Sequence, residues 1–450
     1  MRFVNCNQEN VTRLLREMKS RAKETDRQVS AIVGAILEDV QENGDEAVRR
    51  YERKFSGAYS DPFEVPEEEL KKAFDLADER FKRAISNAAS NIREYHEKQI
   101  VEGYEINRKN GAVVGQVVRG LDRIGIYVPC GTAAYPSTVL MNAIPAKLAG
   151  VGEIIMLTPP EVQEKANGTF GLSANPGILA AAYVAGVDRV FLAGGAQAIG
   201  AMAYGTESIP AVDKIVGPGN IYVATAKKLV YGTVDIDMIA GPSEILIIAD
   251  GTANPRFIAA DLLSQAEHDP MSAAILLTTN REVAEKTLKQ LEEQAAKLER
   301  YEIVSQSLEN YGLILICASE DEMIDIANRI APEHLEIMTA DPMAVLPGIR
   351  NAGSVFCGSY SPEPLGDYYS GTNHVLPTMG TARFASPLGV HSFIKKMSYT
   401  FYTKEALEEC REDVIAISEK EGLTAHGRAV SIRFENYLDG GMAARGGNEK

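Results

Sequence analysis

From about residue 122 to residue 357 the chain repeats one pattern, a short apolar β-branched run followed by a stretch with helical spacing. "DRIGIYV" (122–128), "EIIMLT", "RVFLAG" and "DKIVG" form a first series. "EILIIAD" (244–250), "AAILLTT", "LILIC", "LEIMT" and "SVFC" form a second. Strands that alternate with helices pair in parallel, because each crossover helix carries the chain back to the edge it started from. The fold class expected is therefore α/β, with two Rossmann-like parallel-sheet domains whose series meet near residue 242. The first hundred or so residues, and the chain from about Pro387 onward, read as helical, with "KEALEECREDVIAISEKEGL" as one amphipathic helix. "EVQEKANGTFGLSANPG" (161–177) reads as a surface loop, and the last residues, "GGMAARGGNEK", as frayed.

Composition narrows the function. The chain has 450 residues, 45% of them hydrophobic and 24% charged, which is a globular composition with room for two or three cores. No uncharged apolar run reaches about 18 residues, and the N-terminus lacks the apolar block of a secretory leader, so no membrane association is expected. A net charge of −16 argues against nucleic acid or an anionic membrane as partner. The five cysteines, Cys6, Cys130, Cys317, Cys357 and Cys410, are scattered and form no CxxC pair. Neither a disulfide framework nor a thiolate zinc site is suggested, and a reducing cytoplasm fits.

Several short stretches carry chemistry-bearing residues. In "SQAEHDP" (264–270), Gln265 and His268 sit three apart near the end of a helix expected from Asn254 as N-cap with Pro255 in the first turn. They suit two ligands of one ion, or merely a polar helix end. In "APEHLEI" (331–337), Pro332 ends a helix and leaves Glu333 and His334 adjacent on a turn before a strand. Such a pair offers two bases tunable by burial, although a solvated turn explains it as well. "SPEPLGDYYSGTNHVLPTMGTARFASPLG" (361–389) is a long loop carrying Asp367, Asn373 and His374, and "EGLTAHGR" (421–428) carries Glu421 and His426. Glycine turns follow two strands, "AGGAQAIG" (193–200) and "GPGN" (217–220), where freed backbone amides could hold phosphate. The dinucleotide fingerprint GxGxxG after a first strand is missing. Cys130 in "YVPCGT" reads as an inert buried thiol.

In order along the chain, "YVPCGTAAYPSTVLMNAIPAKLAG", "GGAQAI", "VGPGN", "AGPSE", "DLLSQAEHDP", "APEHLEI", "GDYYSGTNHVLPT" and "EGLTAH" resemble the histidinol dehydrogenase family over roughly residues 25 to 435. The resemblance implies an NAD-dependent zinc enzyme that oxidises L-histidinol to L-histidine through L-histidinal. It places zinc ligands on Gln265, His268, Asp367 and His426, a general base on His334 and a water-activating carboxylate on Glu333. Substrate contacts fall on Ser243, Glu421 and His334 together with the zinc ligands, and NAD contacts on Tyr127, Gln197 and Asn220. It also implies a homodimer in which Glu421 and His426 cross to the partner's site. The partition expected is a helical segment 1–26, a discontinuous catalytic domain of 27–126 with 245–386, an NAD domain of 127–244, and a helical appendage 387–450. Two features depart from the family's pattern: many members have glycine where this chain has Cys130, and segment 161–177 is long. The alternatives are a paralogue oxidising another small polar alcohol to its acid with the same Glu–His pair, a zinc hydrolase using Glu333 without a cofactor, and a dimeric ligand-binding protein without metal.

Overall fold

The computed structural model describes residues 1–20, 27–130, 134–164 and 170–435. The described residues form two compact units, those within 1–100 and 120–394, and those within 101–119 and 395–435.

The larger unit holds two six-stranded sheets. Across the first sheet the strands run Asp235–Ile236, Lys214–Val216, Arg123–Tyr127, Glu153–Thr158, Arg189–Leu192 and Glu64–Val65. All pair in parallel except the last, which is antiparallel to its neighbour. Across the second run Arg2–Asn5, Gly312–Ile316, Ala273–Thr278, Glu244–Ala249, His334–Met338 and Ser354–Cys357, all in parallel. The two series read from the sequence are these two sheets. Strands covered on both faces should be apolar at every position rather than alternating, and Glu244–Ala249 and Ala273–Thr278 are buried throughout. Successive residues still serve opposite cores. Ile124 and Ile126 enter one cluster while Tyr127 and Ile155 enter the other, and Ile245 and Ile247 are divided from Leu246 and Ile248 in the same way.

The partition of the N-terminal third is corrected. Helices Arg27–Phe55 and Glu79–Glu97 pack on the first sheet: Val33, Leu37 and Val40 line one face, Ile85, Ala88 and Ile92 the other. They do not pack on the strands of the second sheet, whose two faces are covered by helices Pro255–Ala266, Arg281–Ala295, Gln8–Ser20 and Glu320–Ile330; the loop after Tyr368 reaches Glu79–Glu97 through Tyr369 and Asn373. Nor is the start of the chain purely helical. Arg2–Asn5 is an edge strand, four residues long and so too short to show a period, that borrows its ladder from Gly312–Ile316.

Three further expectations change. Glu161–Glu164 and Phe170–Ser173 pair as an antiparallel hairpin instead of a plain loop; the intervening residues lie outside the described ones. Ile394–Phe401 is a strand, in a three-stranded sheet with Val113–Gly120 and Tyr104–Asn107. The amphipathic helix expected near residue 410 is broken at Cys410 into Lys404–Glu409 and Arg411–Lys420. These belong to the smaller unit, where Ile106, Met397, Tyr399, Phe401 and Ile417 remain exposed. The reading of "GGMAARGGNEK" as frayed falls outside the described residues. No helix among the described residues is long and apolar enough to cross a membrane.

Candidate active site

The site grows from the amino edge of the second sheet. Helix Glu320–Ile330 stops where expected, before Pro332, with Ala331 in a left-handed conformation (φ 53°). That sharp turn delivers Glu333 and His334 directly into a central strand, so the pair is buried (6% and 4% exposed) rather than solvated. Gly353 makes the turn possible on the neighbouring segment, since a Cβ there would meet the Glu333 carbonyl oxygen at 2.5 Å.

Imidazole geometry fixes the proton. Nδ1 of His334 lies 2.8 Å from Gln265 Oε1 and 3.2 Å from the Glu244 carbonyl oxygen. Both are acceptors, so Nδ1 carries the hydrogen and Nε2 is the basic nitrogen. Nε2 has no hydrogen-bond partner and lies 3.7 Å from Glu363 Oε1, itself a buried atom without a partner. Burial pushes the His334 imidazole down to about 4, against the raising influence of Asp367, so the ring is neutral at pH 7. Glu333 moves the other way: burial first, then the charge of Glu244, hold its carboxyl well above the usual range. Its Oε2 accepts from the Glu244 amide at 3.1 Å, and the Ser243 side chain also bonds to it.

Around the pair stand groups from three further elements. Helix Pro255–Ala266, capped by Asn254 as expected, brings the fully buried Gln265, whose Nε2 is unpartnered. His268 follows at the helix end, exposed, near enough that its charge would depress His334 and His374 further. Short helix Pro364–Tyr368 carries Asp367, which groups with His334 and Glu363 so that one ligand atom from each lies within 4.8 Å of the others. His374 Nδ1 is 3.2 Å from the Asp367 carbonyl oxygen, and its Nε2 is 3.5 Å from Thr138 Oγ1 on helix Pro136–Leu148 of the first sheet.

Sequence reasoning passed over a line of carboxyls behind the site. The Glu363 amide donates to Glu336 Oε1 at 2.8 Å, and Glu336 shares a hydrogen bond with Asp261. Burial raises Glu336 and Glu363, each helped by the charge of its neighbours. One signal was present: Glu336 interrupts "LEIM" in a strand expected to be apolar on both faces, and an acid there needs a buried partner. Glu363 stands four residues before Asp367, close to one helical turn.

At the carboxyl edge of the first sheet the chain order reverses between Arg123–Tyr127 and Lys214–Val216, the crevice where α/β sheets receive ligands. The two glycine turns there differ. At the first, the amides are already used: Gly194 N donates to Glu52 Oε1 at 2.8 Å and Gly195 N to the Tyr127 hydroxyl at 3.0 Å. The phosphate reading of that turn is thereby corrected, because a buried carboxylate occupies the place an anion would take. Gln197 Nε2 binds the same Glu52 oxygen, leaving its own buried Oε1 unpartnered. At the second turn, Gly217 (φ 108°) packs so closely that a Cβ would meet the Tyr127 carbonyl oxygen at 2.1 Å. Buried Lys227 and Asp237 pair with each other and hold Gly217 from both sides, Nζ donating to its carbonyl at 2.9 Å and Oδ2 accepting from its amide at 2.8 Å. Asn220, exposed, caps helix Ile221–Val230. Cys130 is half-buried instead of buried, and its thiol donates to Glu161 at 2.6 Å.

Glu421 and His426 lie in the smaller unit, at the end of helix Arg411–Lys420 and on helix Thr424–Ser431, both exposed.

Fold and family together define the class, an α/β oxidoreductase, and this chain holds a buried Glu–His pair at the amino edge of its second sheet. The family is equally plain. Residues 19–434 match the family model described as histidinol dehydrogenase, and the chain belongs to the histidinol dehydrogenase family. Among curated relatives, a histidinol dehydrogenase of Clostridium acetobutylicum is 52% identical over 418 residues, 93% of this chain and 95% of that one. One from Lactococcus lactis is 50% identical over 421 residues, 93% and 96% of the two chains. The crystal structure of histidinol dehydrogenase from Elizabethkingia anophelis superposes with a TM-score of 0.87 at 40% identity, covering 96% of this chain and 98% of that one.

Proposed function

We propose that this protein carries out the four-electron oxidation of L-histidinol to L-histidine through L-histidinal, with zinc, two NAD and one water, in the last steps of histidine biosynthesis. The observation that carries the reading is the Glu333–His334 pair, buried, oppositely perturbed, and with His334 Nε2 left as a free neutral base.

The residues present fit the implied groups. Gln265, His268 and Asp367, with His426 from a second copy of the chain, are a nitrogen-and-oxygen donor set suited to zinc that also holds substrate. The buried, unpartnered His334 Nε2 and Glu363 Oε1, 3.7 Å apart, and the unpartnered Nε2 of neighbouring Gln265 leave room for a polar ligand beside the pair. The tighter group of His334, Glu363 and Asp367 is the less apt metal site, because it would consume the base. At the first sheet, the unpartnered Gln197 Oε1, the close Gly217 turn, Tyr127 and Asn220 fit NAD contacts. When bound, zinc fixes the substrate as a template and NAD accepts one hydride in each oxidation.

The chain's own residues then do the proton work. His334 Nε2 takes the alcohol proton as the carbinol carbon loses hydride. Glu333 removes a proton from water as the water oxygen attacks the aldehyde carbon. Once its first proton has passed to solvent, His334 takes the hydroxyl proton of the resulting hydrate anion in the second hydride loss, leaving a carboxylate. Ser243, hydrogen-bonded to Glu333, and Glu421 contribute substrate contacts.

The smaller unit supports a homodimer. Its exposed apolar side chains are those of a surface meant to be covered, and it carries Glu421 and His426 uncommitted. None of the five cysteines is in a disulfide, which suits a cytoplasmic setting. With purified protein, zinc, NAD and L-histidinol, two NADH should form per histidine. A ratio of one would remove the aldehyde step, and no NADH would remove the whole reading.

A further inference from the structure

The carboxyl edge of the second sheet, at the other end of its strands from Glu333 and His334, carries a cluster that the oxidation does not use. Cys6 follows strand Arg2–Asn5 and Cys317 follows Gly312–Ile316. The register pairs Asn5 with Ile316, so the two thiols are cross-strand neighbours, and Cys6 N donates to the Ile316 carbonyl at 2.8 Å. Glu322, in the first turn of helix Glu320–Ile330, completes the group. The Cys6 thiol donates to Glu322 Oε1 at 3.2 Å, while Glu322 Oε2 is held by the Ala318 amide at 2.7 Å. One ligand atom from each of the three residues lies within 4.8 Å of the others. In tetrahedral coordination with zinc–sulfur bonds of about 2.3 Å, ligand atoms stand roughly 3.8 Å apart, so binding needs only a small contraction. Cys317 is buried and Cys6 and Glu322 are half-buried, which leaves one side of the group open to water.

Charge decides between a metal and a disulfide. Two thiols and the Glu322 carboxylate lie within 4.8 Å of one another, with Cys317 buried and the other two half-buried. Thiol–disulfide exchange needs a thiolate, which three crowded anionic groups oppose. A divalent cation reverses that balance: two thiolates and a carboxylate around it leave one negative charge. The positive charge of Arg329 already acts on Cys6 and offsets it.

We propose that Cys6, Cys317 and Glu322 form a second metal site, taking one thiophilic divalent cation of the zinc class with water in the fourth position. Binding expels two thiol protons to solvent. The site joins the edge strand at the N-terminus to the helix that leads into the catalytic turn.

Cobalt(II) is the probe. Thiolate-to-cobalt charge transfer absorbs in the near ultraviolet, and the donor set proposed around His268 contains no sulfur, so the readout is silent to that centre. Reduced full-length protein titrated with Co2+ under anaerobic conditions should develop the band and saturate at one equivalent per chain. Cys6→Ser should abolish it, Glu322→Gln should weaken affinity roughly tenfold or more, and Cys357→Ser should leave it intact. Absence of a band at millimolar Co2+ overturns the proposal, as does a band that survives Cys6→Ser. A Cys6–Cys317 disulfide formed by a small-molecule disulfide oxidant, in protein that shows no band, overturns it too. Glu322→Gln keeps both thiols and tests the site even if Cys6→Ser does not fold. The outcome is independent of the histidinol reading, since no substrate or NAD is added.

Discussion

At the residue scale, the proposed mechanism gives Glu333 and His334 separable duties. Glu333→Gln keeps the shape of the side chain and an acceptor for the Glu244 amide but cannot take a proton from water. It should slow L-histidinal oxidation by roughly 10² to 10⁴, with a smaller effect on the alcohol step, when each is followed in single turnover. Equal losses in both steps would assign Glu333 a structural duty instead. His334→Asn should suppress both oxidations by a comparable factor, because the same Nε2 serves each. The adjacent acid and base were readable in "PEHLE", but their burial was not. Burial came from Ala331 turning left-handed and dropping His334 into the sheet, a conformation no propensity argument assigns to alanine.

Single elements explain both what was legible and what was hidden. Continuous apolar runs such as "EILIIA" announce a strand buried on two faces, which is why the parallel sheets could be read directly. Arg2–Asn5 and Tyr104–Asn107, each four residues long, give no period, and their pairing depends on partners more distant in sequence or on a neighbouring hairpin strand. The Cys6–Cys317 pair escaped for the same reason: no spacing rule links residues brought together only by strand register. The long helix Arg27–Phe55 has a consequence of its own. Its Glu52 is fully buried at the Gly194 turn, tied to Gly194 N, Gln197 Nε2 and the Ser56 hydroxyl, and burial raises its carboxyl. A carboxyl whose folded pKa lies above its unfolded one binds more protons folded than unfolded between those two values. Stability therefore falls as pH rises through that window, from the ordinary glutamate range upward. Glu52→Gln, neutral at every pH, should flatten the fall of melting temperature with pH relative to the parent protein. Identical slopes would mean that Glu52 titrates as an ordinary glutamate.

For the whole molecule, the test is whether one chain suffices. If Glu421 and His426 act across a dimer, two inactive variants should repair each other. His426→Ala and Glu333→Gln chains, unfolded together and refolded in equal amounts, form mixed dimers with one intact site each, so about a quarter of the parent activity should return. No recovery would place His426 in the same chain's site. Strand His334–Met338 lies inside the second sheet, bonded on both sides by Glu244–Ala249 and Ser354–Cys357. Backbone amides so enclosed exchange with solvent deuterium only when the whole sheet opens, so those of residues 335 to 338 should rank among the slowest in the protein. The proton-transfer pair would then have no partial failure of its own: heating would spare it up to the global melt and remove it there in a single event.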